Sequence, residues 1–308
     1  MKTASHLEQV LAKGLFAVTA ECGPPRGADA DVVRAKGKLL AGVVDAVNVT
    51  DNQTAMVRMS SIAACVILKE MGFDPIMQMV TRDRNRIALQ SDILGAAALG
   101  INNILCLSGD HPHFGDHPQA KNVYDIDSIQ LIQAVRRMRD ESRFVSGGEI
   151  TKVPGLFIGA AENPFAGDVK IRAARLGKKV AAGAEFIQTQ SVYNLERFRQ
   201  WMQQVVDLGL HEQVAILAGV TPLKSAGMAT YLKNKVPGMD LPDHLIERIK
   251  GVPKDKQGAE GIRICVETIE RVREIAGVRG VHIMAIEWEE HVREIALGAK
   301  LLPRPHIS

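Results

Sequence analysis

Short apolar runs rich in β-branched residues recur along the chain, each of the ~4–8-residue length expected of a strand. In order they are FAVTAEC (16–22), DAVNVT (45–50), DPIMQMVT (74–81), NNILCLSG (102–109), GLFIGAAEN (155–163), EFIQTQSV (185–192), VAILAGV (214–220) and GVHIMAI (280–286). Between them lie longer segments with helical spacing and charged faces, at 56–71, 84–99, 126–141, 168–182 and 195–208. Strands apolar on both faces and separated by helices pair in parallel under a helical cover. Closing such a sheet leaves no edge strand. The pattern therefore predicts an α/β fold, a (β/α)8 barrel forming a single domain over 1–308. Glycine stops (GGE, AGA, LGL) precede strands five to seven. The seventh repeat is longer, and 222–279 should hold two or three helices broken at VPGMDLP. A doubly wound open sheet is the alternative, but no dinucleotide glycine fingerprint follows the first run.

Composition narrows the classes. The 308 residues are 46% hydrophobic and 24% charged, enough for a large core. A net charge of +3 with scattered Lys and Arg gives no reason to expect nucleic acid or an acidic membrane surface. Cys22, Cys65, Cys106 and Cys265 form no CxxC pair, and free thiols in apolar segments suit a reducing compartment. The amphipathic N-terminus lacks a secretory core, and no stretch reaches the ~20 apolar residues of a membrane span. A cytoplasmic protein is expected, as an oligomer.

In a barrel, polar residues at strand C-termini line the catalytic face. Those ends carry Glu21, Thr50, Asp51, Asn52, Gln78, Thr81, Asp83, Ser108, Asp110, Glu162, Asn163, Gln188, Gln190 and Glu287. Alternation aims Glu21 inward near the top of the first strand. A carboxyl among apolar neighbours keeps its proton to higher pH, which suits a general acid; an ion pair with Arg26 is the alternative. Asp110 follows Ser108 and Gly109, and the glycine lets a flat ligand approach the backbone; alternatively Asp110 caps the next turn. Gln188 and Gln190, two apart, face one side and offer amide contacts to a heterocycle, or form a buried network. Lys179 could meet a phosphate or complement a helix end. His111, His113 and His117 lie in the irregular loop 111–125, where nothing fixes a metal geometry, so no metal site is assigned. His282 reads as a packed strand residue.

Taken in order, AECGPPRG, VNVTDN, LSGDHP, GAAENPFAG, KKVAAGAEFIQTQ and GVHIM resemble the methylenetetrahydrofolate reductase family over nearly the whole chain. The resemblance implies the same barrel, with a flavin (FAD or FMN) across its C-terminal face and NAD(P)H as electron donor. It implies hydride transfer to the one-carbon unit of 5,10-methylenetetrahydrofolate, giving 5-methyltetrahydrofolate. Glu21 matches the family's general acid, Asp110 the residue that contacts pterin and stabilises the cation, and Gln190 the pterin-bonding glutamine. Thr50, Gln78, Ser108, Gly109, Asp110, Asn163 and Lys179 fall on flavin positions. Gln78 and Asn163 stand where bacterial members carry histidine. Leu223 falls near an aromatic residue that holds folate or nicotinamide, and its loss would weaken stacking. Ala285 to Trp288 also depart from the usual pattern. Such features resemble members from anaerobic one-carbon pathways, some of which receive electrons from an iron–sulfur or zinc-containing partner protein. No C-terminal regulatory domain is expected. Two other classes compete: a metal-dependent barrel lyase or hydrolase using Asp110, Glu162 and the loop histidines, and a non-catalytic subunit that binds a redox partner.

Overall fold

The computed structural model describes every residue except His306 and Ser308. Its strands are β1 (Ala17–Cys22), β2 (Ala46–Val49), β3 (Pro75–Val80), β4 (Asn103–Leu107), β5 (Phe157–Glu162), β6 (Phe186–Ser191), β7 (Ala215–Val220) and β8 (Val278–Ile283). They pair in sequence order, all parallel, and β8 returns to β1 to close the barrel. A helix α1 (His6–Ala12) precedes β1, and α2 (Ala30–Leu40), α3 (Ser61–Glu70), α4 (Arg86–Ala98), α5 (Ser128–Asp140), α6 (Val169–Ala182) and α7 (Leu195–Asp207) follow β1 to β6 in turn. The long seventh repeat holds α8 (Ala226–Lys235), α9 (Asp243–Lys250) and α10 (Gln257–Arg273), and α11 (Val292–Gly298) ends the fold. Among the described residues no helix is long and apolar enough to cross a membrane.

Helix starts follow side-chain chemistry. Asp29, Ser60, Asn85, Asp168, Asn194 and Ser225 each accept a backbone N–H of the helix they open, and Asp127 with Gln130 forms a capping box. Two expected boundaries move. The segment from Met56 looks helical but stays extended until Ser60, because the Met59 N–H is bound to the Pro25 carbonyl at 2.9 Å. The eighth strand begins at Val278 and ends at Ile283, before the expected 286.

The barrel interior is layered. Ala17, Ala46, Ile76, Leu105, Phe157, Phe186 and Leu217 form an apolar lower layer, plugged from below by Leu7, Val10 and Leu11 of α1. Phe157 and Phe186 stack at 5.0 Å, and Gly159 must lack a side chain because the Phe186 ring fills that space. Higher in the barrel, five of the strands carry polar residues at the inward positions: Thr19, Asn48, Gln78, Gln188 and His282. The larger core lies outside the sheet, between strands and helices.

Candidate functional site

A cavity of about 330 Å³ opens above this polar layer, within the ~300–1,000 Å³ of small-molecule sites. Glu21, Asn48, Gln78, Glu162, Asn163, Lys179, Gln188, Gln190 and His282 all line it, with Arg172 and Arg175 of α6. Burial pushes the Glu21 carboxyl up to about 7; the Gln53 amide, donating to Oε1 at 3.1 Å, opposes this. The anticipated partner Arg26 is elsewhere, paired with Asp116 at 2.5 Å. His282 Nε2 lies 4.0 Å from Glu21 Oε2, but burial alone pushes the imidazole down to about 3, so the ring is neutral. Its Nδ1 sits 2.9 Å from Thr19 Oγ1, and Thr19 accepts from Gln188 Nε2 at 3.4 Å. The nearest ammonium of note, Lys36, is held by Glu289 at 2.8 Å and Glu287 at 3.2 Å.

The loop after β2 couples the two acids. Asn52, Thr54 and Ala55 all have left-handed φ (45°, 57° and 57°), a strained run for residues other than glycine. It places Gln53 on Glu21 and lets the Thr54 N–H donate to Asp110 Oδ2 at 3.2 Å. Asp110 is exposed and lies outside the cavity lining; the next turn is capped by His111. Arg82 Nη1 fixes the Asp110 carbonyl at 3.0 Å. Gly109, with φ +84°, takes a conformation that disfavours side chains, and an added Cβ would crowd Val80. Ser108 is half-buried beside it.

The remaining predicted residues divide. Gln188 and Gln190 share the cavity side; Gln190 Oε1 is taken by the Ser191 N–H at 2.9 Å, and among the described residues its NH2 has no hydrogen-bond acceptor. Asn163 bonds the Gly238 carbonyl and the Phe165 N–H. Lys179, read as a partner for a phosphate or a complement to a helix end, is buried against Glu162 at 2.6 Å, and burial draws its pKa down despite that carboxylate. Leu223 is fully buried in a separate apolar cluster with Tyr193, Leu241 and Ile249, away from the cavity. His111 bonds Asn122 and His117 pairs with Asp116, and among the described residues no group of three or more His, Cys, Asp or Glu is placed to hold a metal ion. Asn48, Gln53, Arg172 and Arg175 were not singled out from the sequence. Arg172, Arg175 and Lys179 stand at helical spacing on one face of α6, the one pattern that points to them.

The donor set suits a flat polar heterocycle with an anionic tail. Among the described residues Asn48 keeps its buried amide without a partner at the cavity, Thr50 and Thr81 keep unpartnered buried hydroxyls outside its lining, and Arg175 lines it with no ion pair. Fold and site together define an α/β-barrel protein with a buried, protonatable carboxyl facing a ligand cavity. The chain belongs to the methylenetetrahydrofolate reductase family, whose model matches residues 6–299. A probable methylenetetrahydrofolate reductase (NADPH) of Caenorhabditis elegans is 24% identical over 239 residues, covering 77% of this chain and 34% of that protein. Methylenetetrahydrofolate reductase 2 of Saccharomyces cerevisiae is 27% identical over 76% of this chain and 38% of its own length. The chain thus spans about a third of these relatives. Among solved structures, an uncharacterized Clostridium thermocellum protein described as binding two copies of 5-methyl-5,6,7,8-tetrahydrofolic acid shares the fold at a TM-score of 0.61 and 14% identity, over 96% of this chain and 98% of its own.

Proposed function

We propose that this protein reduces 5,10-methylenetetrahydrofolate to 5-methyltetrahydrofolate with a bound flavin. The observation that carries the reading is Glu21: a buried carboxyl, half-protonated near pH 7, in the cavity of a barrel from this family. Glu21 holds its proton at neutral pH and delivers it to N10 of the folate, so that the five-membered ring opens to the N5 iminium cation. Asp110, exposed outside the cavity lining and held by the Thr54 N–H, would act on that cation from the rim, as the family resemblance implies. The NH2 of Gln190 donates to the pterin. A reduced flavin, when bound, supplies the hydride that converts the iminium carbon to a methyl group. Thr50, Gln78, Ser108, Gly109 and Asn163 would hold its ring, and Arg175 with Arg172 would meet its phosphate, in FAD or FMN alike.

The test uses protein reconstituted with flavin and reduced with dithionite, which removes dependence on the natural donor. Adding methylenetetrahydrofolate should restore the flavin absorbance of wild-type protein. Glu21→Gln should load and reduce normally but reoxidise at least about 100-fold more slowly. Reoxidation of that variant at the wild-type rate rules out the acid role. The electron source divides into two readings. Residue 223 is a leucine packed in an apolar cluster and offers no aromatic ring to a nicotinamide, which favours a partner protein over direct NAD(P)H use. Bleaching by NADH alone reverses that preference.

A further inference from the structure

We infer that Asn48 reads the ligand: its amide receives the cyclic-amide edge of a heterocycle, an N–H donor beside a C=O acceptor. This rests on the function proposed above. Asn48 sits on β2 directly opposite Glu21 in the ladder, is 1% exposed and lines the cavity. Both Nδ2 and Oδ1 lack a hydrogen-bond partner among the described residues. Several residues around it are engaged: Gln188 with Thr19, Thr19 with His282, Glu21 with Gln53. A buried amide left without any partner is rare in folded proteins. A leucine of the same size would fill the position without desolvating an amide. An amide presents one donor and one acceptor side by side, the complement of a ring N–H next to a ring carbonyl. Pterin and isoalloxazine both carry such an edge, and the same cavity would hold either.

The experiment uses Asn48→Leu and Asn48→Ala in the full chain. Flavin-free protein is titrated with FMN and FAD by fluorescence quenching, flavin-loaded protein with 5-methyltetrahydrofolate by calorimetry, and ligand-free melting temperatures are recorded. We expect ligand-free Tm no lower than wild type in at least one variant, and about a 10- to 100-fold loss of affinity in one titration. Loss in the folate arm assigns the edge to the pterin; loss in the flavin arm assigns it to the isoalloxazine. Wild-type affinity for both ligands in a folded variant overturns the inference, as does a large fall in Tm in both variants, which would mean a structural or water-bridging role. If wild-type protein binds neither ligand, the proposed function fails and takes this inference with it.

Discussion

Replacing Glu21 with glutamine should change how stability depends on pH, whether or not any ligand is present. Glu21 titrates at about 7 in the folded chain against 4.5 in an exposed carboxyl, and burial is the main cause. Below pH 4.5 the group is protonated in both states and contributes nothing to the difference. Between 4.5 and 7 the unfolded chain releases the proton while the folded chain keeps it, so stability falls as pH rises; above 7 the loss is complete. At ~1.36 kcal/mol per pKa unit, the loss between pH 5 and 8.5 is about 2.5 kcal/mol. His282 is depressed by burial alone and works in the opposite sense, its contribution being lost as pH falls below 6.5, so it cancels between the two proteins. For 308 residues at ~2.1 cal/mol/K each, the unfolding entropy is ~0.65 kcal/mol/K, so 2.5 kcal/mol is about 4 °C in Tm. Calorimetric melts of wild type and Glu21→Gln at pH 5 and 8.5 should show the variant gaining about 4 °C relative to wild type at the higher pH. Parallel pH profiles would refute the raised pKa, and with it the poised acid.

Three further outcomes follow from the geometry. Gln53→Leu removes the donor that lowers the Glu21 pKa, so the alkaline limb of the pH–rate profile should move to higher pH; a move to lower pH would contradict the contact. Lys179→Met leaves the Glu162 carboxylate buried with its closest cation gone and should cost about 3–5 kcal/mol in urea unfolding, with at least half recovered in Lys179→Met/Glu162→Leu; additive losses in the double variant would show that the pair is not coupled. Gly261→Ala drives a methyl into the Leu223 carbonyl and should cost ~2–3 kcal/mol, whereas Gly95→Ala, on open helix surface, should add up to ~1 kcal/mol; urea midpoints read both.

The strands were legible because each is a short run rich in apolar and β-branched residues between longer segments with charged faces, a property local to the sequence. The end of β8 was not: Met284, Ala285 and Ile286 continue the apolar run, but the last ladder bond is Met284 N–H to the Val220 carbonyl and the chain then turns. In the site, Glu21, Gln188 and Gln190 were legible through alternation. Asn48 obeys the same alternation, but asparagine in a strand reads as a turn residue, and its significance lies in contacts it lacks. Gln53 depends on a loop whose left-handed residues are not glycines, so composition gives no warning of its shape. The Lys179–Glu162 pair joins residues 17 apart through helix packing that no local pattern specifies.

The cavity contains two buried carboxyls, and their surroundings assign them different work. Glu162 has the Lys179 ammonium at 2.6 Å and the Arg172 guanidinium at 3.9 Å. That carboxylate is tied into an ion pair that joins α6 to β5. Among the described residues Glu21 has no cation in contact: Arg26 is drawn off by Asp116, Lys36 by Glu289 and Glu287, and His282 is neutral. Burial is the largest influence on it, ahead of the Gln53 amide and the more distant charges of Glu289, Lys36 and Arg58, and burial wins. Two carboxyls of similar exposure at strand ends of the same cavity are thus set apart by the cations their neighbours hold or release: the one on β5 is tied into an ion pair, while the one on β1 lacks such a partner among the described residues and is pushed up to about 7.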